Sequence, residues 1–207
     1  MEDLKRGNLY VLSGPSGTGK GAICAGVLAK TNAALSVSMT TRAPRENETE
    51  GESYFFTDKE SFKTILDEDG LFEHAVVYGE YYGTPKAPVI ASLEEGKDVI
   101  LEIEVNGAKQ IKRGMPEAIL IFVLPPSFSE LKRRIEGRGT ETAERIARRL
   151  ERVEMEVSQI DKYDYLIIND DLELAIGDML AIMQAEKLRV GADAEKIIQE
   201  YRSNDKL

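Results

Sequence analysis

The sequence predicts an α/β protein with three layers, in which helices cover both faces of a parallel sheet. Short runs that are apolar at nearly every position recur along the 207 residues, and helix-like periodic stretches stand between most of them. Strands buried on both faces need such runs, and strands that alternate with helices pair in parallel. The strand-like runs are Leu9–Leu12, Val76–Tyr78, Val99–Ile103, Ala118–Leu124 and Tyr165–Ile168.

Two stretches interrupt this alternation. One is polar and β-prone over 36–57 and resumes at 71–84, which predicts a small β-rich insert. The other, 130–156, combines apolar residues at helical spacing with seven arginines, which predicts a charged helical flap. The last periodic segments, Leu172–Leu188 and Ala194–Tyr201, are expected to be covering helices.

Composition excludes several classes of function. The chain has 37 acidic and 27 basic side chains, and a net charge of −10 disfavours a general nucleic-acid binder. No apolar run approaches the roughly 20 residues of a membrane helix, and no export signal is evident. Cys24 is interpreted as a buried apolar residue and His74 as a structural or peripheral one, and together they make no zinc set. We expect a cytoplasmic protein without nucleic-acid or membrane partners.

A glycine-rich loop follows the first strand and precedes a helix-like stretch. Its glycines let backbone N–H groups converge on one anion, the helix start adds its dipole, and Lys20 supplies a positive charge. This G-x-x-x-x-G-K motif predicts a P-loop NTPase-type core that binds a nucleoside triphosphate. The loop residues are Gly14, Pro15, Ser16, Gly17, Thr18, Gly19, Lys20 and Gly21.

Gly21 departs from the usual pattern, which has Ser or Thr at this position. The hydroxyl that ordinarily ligates magnesium is therefore missing. Because Mg2+ readily keeps several waters, we expect it to be held mainly by nucleotide phosphates, water and an acid elsewhere in the chain.

Further motifs follow in order along the chain. The insert contains Ser38-Met-Thr-Thr-Arg42-Ala-Pro-Arg45, Gly51-Glu-Ser-Tyr54-Phe-Phe, Glu73-His-Ala and Tyr81-Tyr82-Gly83-Thr84-Pro. Later segments are Leu101-Glu102-Ile-Glu104-Val-Asn-Gly107-Ala, Pro125-Pro126-Ser, Arg138-Gly-Thr140-Glu and Ile168-Asn169-Asp170. Together these motifs closely resemble those of guanylate kinases, without a missing block, from about Leu9 to Leu174.

The resemblance implies one domain that phosphorylates GMP, and also dGMP, with ATP and Mg2+ in purine nucleotide metabolism. Its parts would be a core (about 1–35, 85–130 and 160–207), a GMP-binding insert (about 36–84) and a helical lid (about 131–159). The GMP-binding residues would be Ser38, Arg42, Arg45, Tyr54, Glu73, Tyr82, Thr84, Glu102 and Glu104.

The chemistry of these side chains agrees with such roles. Two guanidinium groups and two phenols, those of Arg42, Arg45, Tyr54 and Tyr82, suit a dianionic phosphate. The Glu73 carboxylate would accept from guanine N1–H and its 2-amino group. The Ser38 and Thr84 hydroxyls would donate to O6, so that adenine would leave polar groups unpaired.

Phosphoryl transfer needs alignment and positive charge rather than covalent catalysis. The resemblance implies catalytic roles for Lys20, Arg42, Arg134, Arg138 and Arg149, whereas Arg145, Arg148 and Arg152 are interpreted as a solvated helix face. Glu102 and Glu104 would contact the magnesium shell or the acceptor. The sequence does not decide which of the two acids contacts the magnesium shell, and Glu104 is the candidate for binding the metal. Asn169 would lie near the donor base.

Two alternatives stay open. One is a ribose 1,5-bisphosphate phosphokinase of the same fold, which the guanine-reading set Ser38, Glu73 and Thr84 disfavours. The other is a non-catalytic guanylate-kinase-like module that binds phosphopeptides, which the intact phosphate loop disfavours. The sequence leaves the oligomeric state undetermined.

Overall fold

The computed structural model describes residues 6–77, 79–136, 143–190 and 194–204, with the backbone alone at 143–149, 196–197, 200 and 204. The strands are β1 (Leu9–Ser13), β2 (Ala34–Leu35), β3 (Met39–Thr40), β4 (Phe55–Phe56), β5 (Leu71–Val77), β6 (Glu80–Pro85), β7 (Val99–Glu102), β8 (Ile119–Leu124) and β9 (Tyr165–Ile168). The helices are α1 (Lys20–Leu28), α2 (Lys59–Asp67), α3 (Lys86–Glu94), α4 (Val105–Gly114), α5 (Phe128–Glu136), α6 (Ala143–Val157), α7 (Leu172–Lys187) and α8 (Ala194–Asn204), and a 3-10 helix lies at Ile160–Lys162.

The core is a parallel sheet with the strand order β2-β7-β1-β8-β9. All five residues of β1 are buried, as expected for a central strand covered on both faces. Tyr10 and Leu12 pack against α1 and α7 on one side, whereas Leu9 and Val11 pack against α3 and α4 on the other. The predicted three-layer α/β core is therefore confirmed.

The carboxyl ends of the core strands place several polar segments at one edge of the sheet. β1 lies between β7 and β8, and it leads directly into the glycine-rich loop. Glu102 ends β7, and Asn169 follows β9. In open α/β sheets ligands bind at this edge, in the crevice where neighbouring connections diverge.

The insert forms a second sheet with the order β4-β3-β6-β5, in which β5 and β6 make an antiparallel hairpin. Helix α2 covers it through Phe62, whose side chain is fully buried and whose ring centroid lies 5.3 Å from that of Tyr81. The run at 76–78 belongs to β5 as far as it is described, so counting it with the parallel core strands was wrong. Val76 and Val77 are exposed there, and local apolar sequence alone does not distinguish such a hairpin from a buried strand.

Helices α5 and α6 form a small packed unit beside the core. Leu131 and Ile135 of α5 are buried against Val153 of α6, with Leu150 and Val157 at the margin. The charged flap expected from the arginine-rich segment is thus helical over its described part. The two helices predicted at the end of the chain are confirmed as α7 and α8. Helix α7 covers the core through Ile176, Met179 and Met183, whereas Ile198 and Tyr201 of α8 are exposed. No helix within the described ranges combines the length and apolar character needed to span a bilayer.

Candidate active site

The glycine-rich loop curls between β1 and α1 in a conformation that only glycine accommodates. Gly14 and Gly19 have φ values of +139° and +88°. A Cβ added at Gly14 would lie 2.5 Å from the Val123 carbonyl oxygen, and one at Gly19 would lie 2.2 Å from Asn169 Nδ2. Side chains at either position would therefore push the loop off the core.

Lys20, the first residue of α1, folds back over the loop. Its Nζ donates to the carbonyl oxygens of Gly14 at 2.7 Å and Pro15 at 2.9 Å. Thr18 Oγ1 donates to the same Pro15 carbonyl at 3.0 Å. These bonds hold the ammonium group beside the start of α1, where the helix dipole also favours an anion.

Asn169 stabilises the loop through a hydrogen bond to its backbone. Its Nδ2 donates to the Thr18 carbonyl at 2.8 Å, and its side chain is almost completely buried. The sequence suggested a position near the donor base, but it carried no signal for this contact, which joins residues 151 positions apart. Asn169 thus has a structural role that the motif alone does not reveal.

Gly21 lies beside the acid at the end of β7. A Cβ built at Gly21 would be 3.3 Å from Glu102 Oε2, so the carboxylate lies next to the position where other phosphate loops carry a hydroxyl. Glu104, two residues further on, instead accepts a hydrogen bond from Arg152. Of the two acids that the sequence left undecided, Glu102 therefore lies nearer to the position of the missing hydroxyl.

Arg42 lies at the centre of a cluster on the β-rich insert. Its Nε donates to the Tyr82 hydroxyl at 3.2 Å, and its Cζ lies 5.5 Å from the centroid of the Tyr54 ring. Both guanidinium nitrogens donate to Glu48, at 2.8 and 2.9 Å. This bidentate pair lowers the pKa of Glu48 and raises that of Arg42. Three of the four predicted phosphate ligands are thus in contact.

Glu48 was not among the predicted site residues. It also accepts from the backbone N–H of Arg45 at 2.8 Å, so it orders the turn that carries both arginines. The Arg45 side chain is exposed. A Glu that follows a pair of arginines in a polar turn is a signal that could have identified this partner.

Glu73 forms the buried polar end of the cleft. Its Oε1 accepts from Thr84 Oγ1 at 2.7 Å across the β5–β6 hairpin, and the residue is 9% exposed. Burial raises the pKa of the Glu73 carboxyl, the Thr84 hydrogen bond opposes this, and the charge of Glu104 adds to the increase. A Cβ at Gly107 would be 3.0 Å from Glu73 Oε2, so the glycine leaves room for the carboxylate.

One cleft of about 1270 Å³ brings most of the predicted site residues together. Thr84 and Arg42 adjoin it through their hydrogen bonds to Glu73 and Tyr82. The predicted residues that line the cleft directly are Gly14, Ser16, Gly17, Gly19, Lys20, Gly21, Ser38, Tyr54, Glu73, Tyr82, Glu102 and Glu104.

The packed unit of α5 and α6 contributes two described arginines near the phosphate loop and the cleft. Arg134 donates from Nε to Glu130 Oε1 at 2.7 Å and from Nη2 to the Asn169 carbonyl at 3.1 Å. The hydrogen bonds from Arg133 and then from Arg134 lower the pKa of Glu130 to about 2. Arg152 lines the cleft and pairs with Glu104 as well as with Glu156, so its interpretation as part of a solvated face is incomplete. Arg138 and the side chains of Arg145, Arg148 and Arg149 lie outside the described residues.

A phosphate-binding loop on a parallel sheet, facing a basic and aromatic lobe across one cleft, defines the class of P-loop phosphotransferases. The profile of the guanylate kinase family matches residues 6–186. The chain belongs to the guanylate kinase family.

Individual relatives agree with this assignment. A guanylate kinase of Thermus thermophilus is 50% identical over 192 residues, which cover 93% of this chain and 87% of the relative. A guanylate kinase of Clostridium acetobutylicum is 48% identical over 194 residues, covering 94% and 93%. The crystal structure of guanylate kinase from Anaplasma phagocytophilum superposes with a TM-score of 0.72 at 32% identity, covering 90% of this chain and 89% of that chain.

Proposed function

We propose that this chain transfers the γ-phosphoryl group of ATP to GMP, and also to dGMP, which produces ADP and GDP or dGDP. The observation that carries the proposal is a single cleft in which a phosphate loop faces a buried carboxylate–hydroxyl pair, Glu73 and Thr84. Membership of the guanylate kinase family supports the same reaction. We assign this reaction to the cytoplasm.

The donor side would hold the ATP phosphates. The backbone N–H groups of the loop converge at the start of α1, and Lys20 adds a positive charge held there by two carbonyl groups. The exposed carboxylate of Glu102 fits a magnesium ion that is bound mainly by phosphates and water, since Gly21 offers no hydroxyl. When bound, Mg2+ would neutralise part of the phosphate charge.

The acceptor base would be recognised by Glu73, Thr84 and Ser38. An ionised Glu73 presents acceptors to the two adjacent donors of guanine, N1–H and the 2-amino group. Adenine has a lone pair at N1, which a carboxylate would repel. In the structure Thr84 donates its one hydroxyl proton to Glu73 Oε1 rather than leaving it for guanine O6, so Thr84 acts by orienting the carboxylate. Because Glu73 is buried, a base that leaves its second carboxylate oxygen unpaired incurs the full desolvation cost.

The acceptor phosphate would replace Glu48 as the partner of Arg42. In the structure the Glu48 carboxylate holds the guanidinium in the bidentate manner that a phosphate also favours. The Tyr82 hydroxyl and the Tyr54 ring keep Arg42 in place, and Arg45 would add a second cation. This arrangement would bring the GMP phosphate to the side of the cleft that faces the loop.

The transfer itself would depend on alignment and on lid cations. Arg134 is fixed between Glu130 and the carbonyl of Asn169, next to the loop. We propose that Arg134, with Arg138 and Arg149, stabilises the charge that spreads over the moving phosphoryl group. The lid would also exclude water, which limits hydrolysis of ATP in the absence of an acceptor.

A coupled ADP-release assay tests the proposed function. The purified chain receives ATP and Mg2+ with GMP, dGMP, AMP, CMP, UMP or ribose 1,5-bisphosphate in parallel, beside a reaction without acceptor. We expect ADP release with GMP and dGMP alone. Release with the sugar bisphosphate but not GMP would assign the chain to the sugar kinases, and no release from a folded protein would favour a binding module.

A further inference from the structure

Arg152 links the lid to the acceptor side of the cleft. It lies on α6, and its Nη2 donates to Glu104, which precedes the first residue of α4. Its Nε donates to Glu156 Oε1 on its own helix at 2.9 Å. Arg152 thus ties together two segments that are 48 residues apart in the chain.

The pair is placed where it can affect GMP binding. Glu104 and Arg152 line the same cleft as Glu73. The charge of Glu104 contributes to the raised pKa values of both Glu73 and Glu156, after the larger effect of burial on each. Arg152 opposes this effect at Glu156. The Arg152 cation, which hydrogen-bonds both Glu104 and Glu156, therefore offsets the repulsion between these two carboxylates.

The exposure of the three partners distinguishes their roles. The Glu156 side chain is 14% exposed and the Arg152 side chain 49%, whereas that of Glu104 is 63% exposed. The largely buried Glu156 therefore holds Arg152 in a fixed orientation on α6. The exposed Glu104 side chain would be free to rotate into solvent without its ion pair to Arg152. The ion pair between Arg152 and Glu104 therefore fixes both the orientation of the Glu104 carboxylate and the position of this part of α6.

We propose that Arg152 is a positioning residue of the acceptor site. Its ion pair with Glu104 holds helix α6 against the acceptor side and keeps the Glu104 carboxylate beside Glu73, which couples the position of the lid to GMP binding. Arg152 acts through Glu104 and does not contact the reacting atoms. The inference rests on the proposed function, because it assigns the residue to the GMP side of that site.

A double-mutant cycle tests this coupling through KM and kcat. The variants are Arg152→Gln, Glu104→Gln and their combination, and the matched control is Lys132→Gln. Lys132 lies on α5 with a half-exposed side chain 3.9 Å from Glu136, so the control removes one lid charge away from the cleft. We expect Arg152→Gln to raise the KM for GMP about fivefold, as side chains in direct contact allow. The KM for ATP and kcat should stay within about twofold, as in the control.

The combination decides how Arg152 acts. If it acts through Glu104, the double variant is no worse than Glu104→Gln alone. Losses that multiply would mean that Arg152 acts independently of Glu104, and a loss confined to kcat and the KM for ATP would mean that it acts on the ATP side. Either result would overturn the proposal. A GMP KM for Arg152→Gln equal to that of Lys132→Gln would overturn it as well.

Amide hydrogen exchange without nucleotides gives a readout that is independent of GMP turnover. Arg152→Gln removes the pairs with both Glu104 and Glu156, so it should speed exchange over 150–157 more than Glu104→Gln does, and the combination should speed it no further than Arg152→Gln alone. If wild type fails to phosphorylate GMP but this pattern holds, the proposed function fails while the ion-pair link stands. If wild type is active and neither exchange nor KM changes, the inference alone fails.

Discussion

Replacing Glu73 by Gln should abolish most GMP phosphorylation while leaving the ATP site intact. The amide keeps one acceptor oxygen, which can still receive the Thr84 hydroxyl now bonded at 2.7 Å, but its NH2 group then faces the donor edge of guanine. The variant loses a hydrogen bond to a charged group, which contributes about 1.5–3 kcal/mol, and it leaves a buried donor unpaired at about 1–3 kcal/mol.

A combined loss of about 2.5–6 kcal/mol corresponds to a fall of roughly 10²- to 10⁴-fold in kcat/KM for GMP. The assay is ADP release at varied GMP with saturating ATP, followed by varied ATP at the highest practicable GMP. Glu80→Gln is the matched control, because Glu80 also accepts from a threonine hydroxyl on the same lobe, that of Thr41, but does not line the cleft. The control should keep wild-type GMP kinetics.

Folding stability separates a binding defect from an unfolded variant. Burial raises the pKa of Glu73, so the folded protein disfavours the ionised form and the group destabilises the fold increasingly as pH rises through that pKa. The neutral amide lacks this penalty, and the melting temperature of Glu73→Gln at pH 7 should be no lower than that of wild type. Wild-type GMP kinetics in this variant would refute the assignment of Glu73 to the guanine base.

Three further predictions concern pH, metal and the loop. In wild type the KM for GMP should rise as pH falls from about 7.5 to 5, because protonation removes an acceptor from Glu73. An equally steep pH profile of the KM in Glu73→Gln would contradict this prediction. Glu102→Gln should raise the Mg2+ concentration for half-maximal rate about threefold or more, and an unchanged magnesium titration would exclude Glu102 from the metal shell. Gly19→Ala should weaken binding of an ATP analogue at least about tenfold in calorimetry, because the added Cβ would lie 2.2 Å from Asn169 Nδ2. Wild-type affinity in this variant would contradict the loop geometry.

The core strands and the phosphate loop could be predicted from the sequence because their causes are local. Strands buried on both faces need near-continuous apolar runs, and β1, β7, β8 and β9 lie where such runs predicted them. The loop glycines are set by backbone geometry that no other residue adopts at low cost.

The remaining features depend on contacts between distant segments. β2, β3 and β4 have two residues each, too short for any periodic signal, and their neighbours in the sheets determine them. Arg152 and Glu156 form an i,i+4 pair, which follows from helical spacing alone. The same spacing does not predict the ion pair between Arg152 and Glu104, because that contact depends on how α6 packs against the core. The roles assigned to Arg138 and Arg149 stay predictions.

The bond from Asn169 to the Thr18 carbonyl has a consequence for the order in which the protein matures. The loop is encoded near the start of the chain, but the side chain that supports it arrives 151 residues later. A growing polypeptide that has not yet released β9 from the ribosome carries the complete glycine motif without that support. We therefore expect the loop to gain this support late in synthesis, after the last core strand has joined the sheet.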